Sequence, residues 1–324
     1  MSGHAVTLAD VAVEAGVHPS TVSRVISRPQ LIGAPTRTAV QAAVARLGYI
    51  PNKAARQLAG GRVGSLGVLV PDITNPFFAQ VVRSLQRCCR SAGLTMLLAD
   101  TDQRADEELS EARALTGSVD GFVVCSSVAG TQHWRHVVGA TPLVFVNRRA
   151  KGVASVTLDQ HAIVELGVAH LRSLGHRRIG VVRGPDAYWS ARERHRAVGG
   201  LDGIVALGPT RPDFEAGIAL TDELIASEVT GVLAFNDLQA LGIMAGCRAA
   251  GKSVPGDLSV VGSDDIGAGA MSDPPLTTVT APVQQLGAAA LQLIEQLIAG
   301  SVGETEVSLP VTLNVRSSTR RRAK

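Results

Sequence analysis

The sequence predicts an α/β protein in two lobes, each a doubly wound parallel sheet, preceded by a small all-α head. Three observations point to this. From Ser65 onward, short continuous Val, Leu and Ile runs alternate with amphipathic segments, the pattern of parallel strands covered on both faces by helices. Before that point there are no such runs, and three segments instead repeat apolar side chains at helical spacing. Charge divides at the same place: up to Arg62, seven basic side chains stand against two acidic ones, a net of +5 in a chain of net +3, so the remainder is slightly acidic. A basic head on an acidic body is the charge footprint of a nucleic-acid binder with a separate regulatory part. With 324 residues, 45% of them hydrophobic but only 3% aromatic, the chain can fill two or three aliphatic cores.

The head reads in order. Thr7 can cap a first helix, Asp10 can complete the cap, and Leu8, Val11, Ala12 and Ala15 share a face that Gly16 ends. Pro19 suits the first turn of a second helix with Val22, Val25 and Ile26 inward. Its other face carries Ser20, Thr21, Ser23, Arg24, Ser27 and Arg28. A third helix over 36–47 buries Val40, Ala43, Val44 and Leu47 and stops at Gly48. Two short helices joined by a tight turn, the second polar on its free side, make a helix-turn-helix. Residues 52–58 have fair helix propensity but almost no apolar face, so they are not expected to be stable alone. Gly60 and Gly61 read as a flexible joint.

In the body, strands are expected at 65–70, 94–98, 121–125 and 142–146, with helices beginning near Phe78 and over 105–115. A second set starts near Val156, with strands at 179–182, 203–207, 231–235 and 258–261 and helices at 162–174, 216–226 and 238–250. A long helix over 283–298 returns to the first lobe, and the basic tail from Ser317 is expected to be disordered. Cys88, Cys89, Cys125 and Cys247 lack metal-ligand spacing and read as reduced, mostly buried thiols. The amino terminus lacks the pattern of a signal peptide, and no apolar run approaches membrane-spanning length, so a cytoplasmic location is expected.

Catalysis finds little support. The glycine-rich pieces match neither a phosphate loop nor a dinucleotide fingerprint, and no nucleophile motif occurs. His133 and His136 lack an evident third ligand, so no metal or cofactor is expected. Polar groups do cluster just after the expected strands: Asp72, Asn75, Arg148, Asp159, Asn236 and Asp264, with Phe77 and Phe78 on the same rim. In paired α/β lobes ligands sit at strand carboxyl ends, and such groups around an aromatic face suit a polyhydroxylated ligand.

Residues 7–27, TLADVAVEAGVHPSTVSRVIS, with GYIPN at 48–52, GVLVPD at 67–72 and NPFF at 75–78, resemble the LacI/GalR family of bacterial transcription regulators. LGHRRI at 174–179, FNDLQALG at 235–242, VGSDD at 261–265 and PLTTV at 275–279 continue the resemblance in the family's order. It implies a homodimer on a pseudo-palindromic double-stranded operator, most often as a repressor. A periplasmic-binding-protein-like core would sense a small, sugar-like effector between its lobes. Carried over by position, Pro19, Ser20 and Arg24 match base-reading places, and Thr21, Ser23 and Asn52 match phosphate-binding or docking places. His18 stands where Ser is common. Residues 52–58 resemble a hinge helix that folds on DNA, with Leu58 at the minor-groove wedge, Ala55 beside it, and Lys53 and Arg56 as phosphate partners. The family's effector contacts carry over onto Phe77, Phe78, Arg148, Asp159, Arg194, Asn236 and Asp264. The chain departs from the family between Arg194 and Phe214, where it is shorter by roughly a helical turn or more plus a loop. It also departs at Ala197, where glycine is usual, and at Ala281, where some sugar responders carry glutamine. The resulting division is a reader at 1–50, a hinge and linker at 51–62, one lobe at 63–157 plus 282–308, the other at 158–281 plus 309–316, and a tail at 317–324. A transport solute-binding protein would share the core fold, but it predicts neither the basic three-helix head nor the absence of a leader.

Overall fold

The computed structural model describes residues 6–27, 29–49, 62–301, 303 and 305–322. The chain forms two units, Met1–Val63 and Gly64–Lys324. In the first, α1 (Leu8–Ala15) opens on a reciprocal cap. The Thr7 hydroxyl accepts from the Asp10 N–H at 3.3 Å, and the Asp10 carboxylate accepts from the Thr7 N–H at 2.7 Å. Gly16, at φ 65°, supplies the left-handed residue that ends it. α2 (Pro19–Ser27) follows, then a 3-10 turn (Pro29–Leu31) and α3 (Ala34–Leu47). The third helix begins earlier than the expected Thr36, because Pro35 is tolerated in a first turn that needs no N–H from it. Val11, Ala12, Val22, Val25, Val40, Ala43 and Tyr49 form the buried core of this unit. Complete burial of Val11, Val22 and Val40 stabilises it by about 1.5–3 kcal/mol each. The hinge proposed at 52–58, with Asn52, Lys53, Ala55, Arg56 and Leu58, lies outside the described residues, as do Arg28, Gly60 and Gly61.

The second unit contains two sheets of one topology. β1 (Ser65–Val70), α4 (Pro76–Ser91), β2 (Thr95–Asp100), α5 (Ala105–Leu115), β3 (Gly121–Cys125), α6 (Thr131–Val138), β4 (Leu143–Val146) and β5 (Ala154–Leu158) build the first lobe. The chain then crosses to α7 (Gln160–Ser173), β6 (Ile179–Val182), α8 (Trp189–Val198), β7 (Ile204–Leu207), α9 (Phe214–Ala219) and α10 (Thr221–Ala226). β8 (Gly231–Leu233), α11 (Asp237–Ala249), β9 (Ser259–Asp264), α12 (Gly267–Met271) and β10 (Thr277–Thr280) continue the second lobe. α13 (Val283–Ile298) packs on α4 and the first sheet, and β11 (Glu306–Leu309) and β12 (Thr312–Asn314) follow. The sheet orders are β2-β1-β3-β4-β5-β11 and β7-β6-β8-β9-β10-β12. Every neighbouring pair is parallel except β10 with β12. β1, β3 and β4 are buried at every position, which is why they read as near-continuous apolar runs; β5 is equally buried but carries Ser155 and Thr157 and has no such run.

Two expectations need correction. The single helix expected over 216–226 is instead α9 and α10, meeting at Leu220. Gly217 holds α9 tight against α11, since a Cβ there would lie 2.3 Å from the Gln239 carbonyl oxygen. The tail expected to be disordered is docked as far as it is described, with Ser318 fully buried. Its hydroxyl accepts from the Thr277 N–H at 2.8 Å and donates to the Val260 carbonyl at 2.6 Å, so hydrogen bonding rather than apolar area fixes it. Cys89, Cys125 and Cys247 are buried, Cys88 is half-buried, and all four are unbridged. Among the described residues no helix is long and apolar enough to cross a membrane.

Candidate functional site

In the head, α2 turns Val22 and Val25 inward and leaves Pro19, Ser20, Ser23 and Arg24 exposed, with Thr21 half-buried. His18 caps the helix: its carbonyl accepts from the Thr21 N–H at 2.8 Å, and its ring Nδ1 accepts from the Ser20 N–H at 3.2 Å. The Ser20 hydroxyl lies 2.9 Å from the same nitrogen. The exposed face thus offers a hydroxyl row and a guanidinium. These are groups that reach base edges and phosphates in a major groove.

In the core, strand order dictates where a ligand can sit. Each sheet reverses direction between its first and second neighbours, β1 and β3 in one lobe and β6 and β8 in the other, opening a crevice at the strand carboxyl ends. Residues at or after the ends of β1, β3, β4, β6, β7, β8 and β9 all contribute to one cavity there. Its apolar wall is Phe77, Phe78, Tyr188 and Phe235, and its polar wall includes Asn147, Arg194, Asn236 and Asp264. Phe77 and Phe78 sit in the first turn of α4, where Asn75 caps the helix by accepting from the Phe77 N–H at 3.0 Å. Their rings meet edge to face at 5.2 Å.

Backbone strain gathers at the same edge. Asp102, Gln103, Ser126, Asn147, Asp264 and Asp265 all have positive φ, and all lie at or just past carboxyl ends of strands. Asp264, at φ 133°, is the most strained of them. Such conformations persist where the surroundings over-determine them, and they concentrate at ligand sites.

A polar chain crosses from one lobe to the other through the cavity wall. Arg194 Nε donates to Gln160 Oε1 at 2.7 Å, Gln160 Nε2 donates to Asn147 Oδ1 at 2.9 Å, and Asn147 Nδ2 donates to Ser126 Oγ at 3.1 Å. Arg194 also donates to the Phe235 carbonyl at 2.6 Å and lies 4.8 Å over the Phe235 ring. Burial pulls the Arg194 guanidinium down to about 10, against the field of Asp264. Asp264 has its carboxyl held well above the ordinary range, first by desolvation and then by Asp237, with Arg194 opposing. A buried guanidinium and a half-buried carboxyl can both be satisfied by a ligand hydroxyl. A second cross-lobe contact, from Tyr188 Oη to Gln103 Oε1 at 3.2 Å, closes the rim. The enclosed volume is about 30 Å³, the share of a single water in the liquid. Asp264 also faces an adjoining groove of about 360 Å³ lined by Gln80, Asp265 and Ala281.

Of the seven core residues singled out in the sequence, the structure brings Phe77, Phe78, Arg194, Asn236 and Asp264 to the cavity and leaves two outside it. Arg148 is turned into its own lobe, where it donates to Ser127 Oγ at 2.7 Å, the Ser127 carbonyl at 3.0 Å and Thr131 Oγ1 at 3.2 Å. There it stiffens a loop that Glu108 grips from below, accepting from Ser127 Oγ at 2.6 Å and Val128 N at 2.8 Å. Asp159 is exposed and caps α7 by accepting from the Ala162 N–H at 2.9 Å, and its neighbour Gln160 turns inward instead. Asn236 lines the cavity with its amide already engaged, accepting from the Gln239 N–H at 2.9 Å and donating to the Pro212 carbonyl at 2.8 Å. The segment after Arg194 is thereby pinned so that Pro212 forms cavity wall, whereas Phe214 is 38% exposed and does not. Asn147, Gln160 and Tyr188 escaped the sequence reading. The clearest signal was Asn147, an Asn next to Arg148 directly after a strand.

Residues 7–52 match the family model described as bacterial regulatory proteins, lacI family, and residues 168–319 match the periplasmic binding protein-like domain. The ribose operon repressor of Bacillus subtilis is 32% identical over 97% of this chain and 99% of its own length. Among solved structures, the lac repressor dimer bound to operator and the anti-inducer ONPF superposes with a TM-score of 0.83 at 28% identity, covering 98% of this chain and all of that one. A LacI family transcriptional regulator from Enterococcus faecalis with bound ribose gives 0.74 at 31% identity, over 80% of this chain and all of that one.

Proposed function

The chain belongs to the LacI family of bacterial regulatory proteins and is a DNA-binding transcription regulator, and from that premise we propose how it works. It represses as a homodimer on a pseudo-palindromic operator in the cytoplasm, and a sugar-like effector between the core lobes sets its DNA affinity. The observation that carries the effector reading is the cavity where both sheets reverse, with aromatic rings on one side and a buried Arg194 and half-buried Asp264 on the other. Phe77, Phe78, Arg194 and Asp264 contact the effector, joined by Asn147 and Tyr188. Asn236 shapes the wall, while Arg148 and Asp159 act from outside it by fixing the rim and the start of α7. Because the enclosed volume is far below the roughly 300–1,000 Å³ of small-molecule pockets, effector entry widens the cleft and stretches the Gln160 chain and the Tyr188 contact. That is a difference in contacts between two core states, which is what allows a ligand to shift an equilibrium. The compact site and the ribose named for two relatives favour a monosaccharide.

On DNA, Pro19, Ser20 and Arg24 read bases, and Thr21 and Ser23 fix the docking. The segment 51–62 serves as the hinge, with Asn52, Lys53 and Arg56 on phosphates and Leu58, beside Ala55, as the wedge. The lobes divide as 63–157 plus 282–308 and 158–281 plus 309–316. The test uses full-length protein, its operator fragment, and D-ribose as the first of a panel of pentoses and hexoses. Wild type should change its operator affinity on addition of one panel member. Asp264→Ala should lose that response while its effector-free operator affinity stays within about twofold. A normal response in the variant removes Asp264 from the site, and silence of wild type to the whole panel removes the sugar reading.

A further inference from the structure

The second lobe has another concavity at the end opposite the cleft, where β6 and β8 begin. Its walls are the carboxyl end of α7 (Ser173, Leu174, Gly175), the Arg177–Arg178 turn entering β6, Glu228, and Arg321 and Arg322 of the tail, and it encloses about 780 Å³. The tail is not there by accident of charge. Besides the buried Ser318, the Arg320 N–H donates to Ser259 Oγ at 3.1 Å, the Arg320 carbonyl lies 3.2 Å from His176 Nε2, and the Arg322 N–H donates to the Leu174 carbonyl at 2.9 Å. Main-chain bonds therefore hold two consecutive arginines against two others from a remote stretch of sequence.

Four guanidinium groups converge, and little opposes them. Arg178 is anchored by the Ser227 carbonyl at 2.6 Å, but no ion pair ties Arg177, Arg321 or Arg322 to a carboxylate among the described residues. Glu228 contributes one negative charge, and the carboxyl end of α7 contributes the equivalent of about half of one. Among the described residues, more than two positive charges remain uncompensated. An adjoining trough of about 520 Å³, sharing Gly175 and Arg177, adds Arg172 against Asp202. Guanidinium forks match phosphate oxygens in pairs, and a concavity of this size fits a small molecule, whereas a DNA duplex is convex and far wider.

We propose that this groove binds a small ligand bearing two or more phosphoryl groups, independently of the effector cleft. The shared chemistry is a run of phosphates, whether on a nucleotide, on a sugar bisphosphate or in inorganic polyphosphate. The site lies the length of α7 from Gln160 in the cleft wall, about 20 Å for a helix of 14 residues.

The test is calorimetric titration of full-length protein with inorganic tripolyphosphate at about 0.1 M salt, where exposed charges are already substantially screened. One saturable site per chain is expected, binding orthophosphate about 10-fold or more weakly. Arg177→Ala and the double variant Arg321→Ala/Arg322→Ala should each weaken tripolyphosphate by about 10-fold or more, with melting temperatures unchanged because the tail is held by main chain and Ser318. Asp264→Ala should bind it as wild type does. ATP and a sugar bisphosphate, titrated in parallel, then identify the source of the phosphates. The proposal is overturned if no saturable site is found, or if binding survives both arginine variants, which would place it in the basic head. It is overturned equally if random-sequence duplex loses affinity in step with tripolyphosphate, which would make the surface a non-specific DNA contact.

Discussion

Asp237 should set a measurable part of the core's pH dependence, and an isosteric change should remove it. Its side chain is fully buried at the start of α11, accepting from the Thr278 hydroxyl at 2.5 Å and the Ile266 N–H at 2.9 Å. Burial, together with Asp265 nearby, pushes its carboxyl from 3.8 up to about 6, against those hydrogen bonds and Arg316. A raised carboxyl means that the folded chain holds the proton more tightly than the unfolded chain does. Stability from this group is therefore fully present below about pH 4 and is lost as pH rises through about 6. The difference amounts to about 3 kcal/mol, or about 6–12 °C in melting temperature for a unit of this size. In Asp237→Asn the amide oxygen can accept from Ile266 and the amide nitrogen can donate to Thr278, whose hydroxyl rotates to accept. The variant should match wild type at about pH 4 and exceed it by up to about 3 kcal/mol at about pH 7.5. Urea melts of both proteins at the two pH values give the answer. A stability difference independent of pH, or a variant less stable than wild type at the higher pH, would refute the reasoning. Asp264 would also titrate lower in this variant, since Asp237 is one of the two influences holding it up.

Two further outcomes are expected. Arg24→Ala should weaken specific operator binding by about 1–3 kcal/mol, read by fluorescence anisotropy at fixed salt, and leave effector binding intact; an unchanged specific affinity would dismiss the base-reading role. Gly242→Ala should lower the melting temperature, because its Cβ would lie 2.0 Å from the Phe214 carbonyl oxygen and 2.9 Å from the Gly217 Cα. Overpacking of that kind costs about 1–3 kcal/mol, and calorimetry showing no loss would mean α9 can move aside freely.

The parts legible in sequence were those written in apolar periodicity. β1, β3 and β6 and the helices α5 and α13 read with their observed bounds, because each has a buried stripe or is buried throughout. β11 and β12 did not: both are edge strands of only four and three residues, each with exposed positions, and the two apolar side chains of β11, Val307 and Leu309, are too few to set a period. α8 was missed for another reason: its inner face is Ser190, Ala191 and Arg194, and a helix that buries an arginine through hydrogen bonds looks polar all round. The cavity was legible in outline because polar residues directly follow strands, yet not to single-residue accuracy. Asp159 and Gln160 are adjacent, and the capping demand of α7 decides which one faces solvent. Tyr188 became visible only when both lobes were folded, since its partner Gln103 lies far away in sequence.

The late position of β11 and β12 bears on how the chain is made. β11 completes the first sheet beside β5 and β12 completes the second beside β10, so each lobe waits for residues synthesised near the end. On a ribosome the helical head can fold alone and early, whereas both lobes stay open-edged until some 300 residues have emerged, an interval in which unpaired strand edges invite mispairing. Neither lobe can be cut out as one continuous stretch without losing a strand. Attempts to isolate a sensing lobe should instead splice α13 and the terminal strands back onto it.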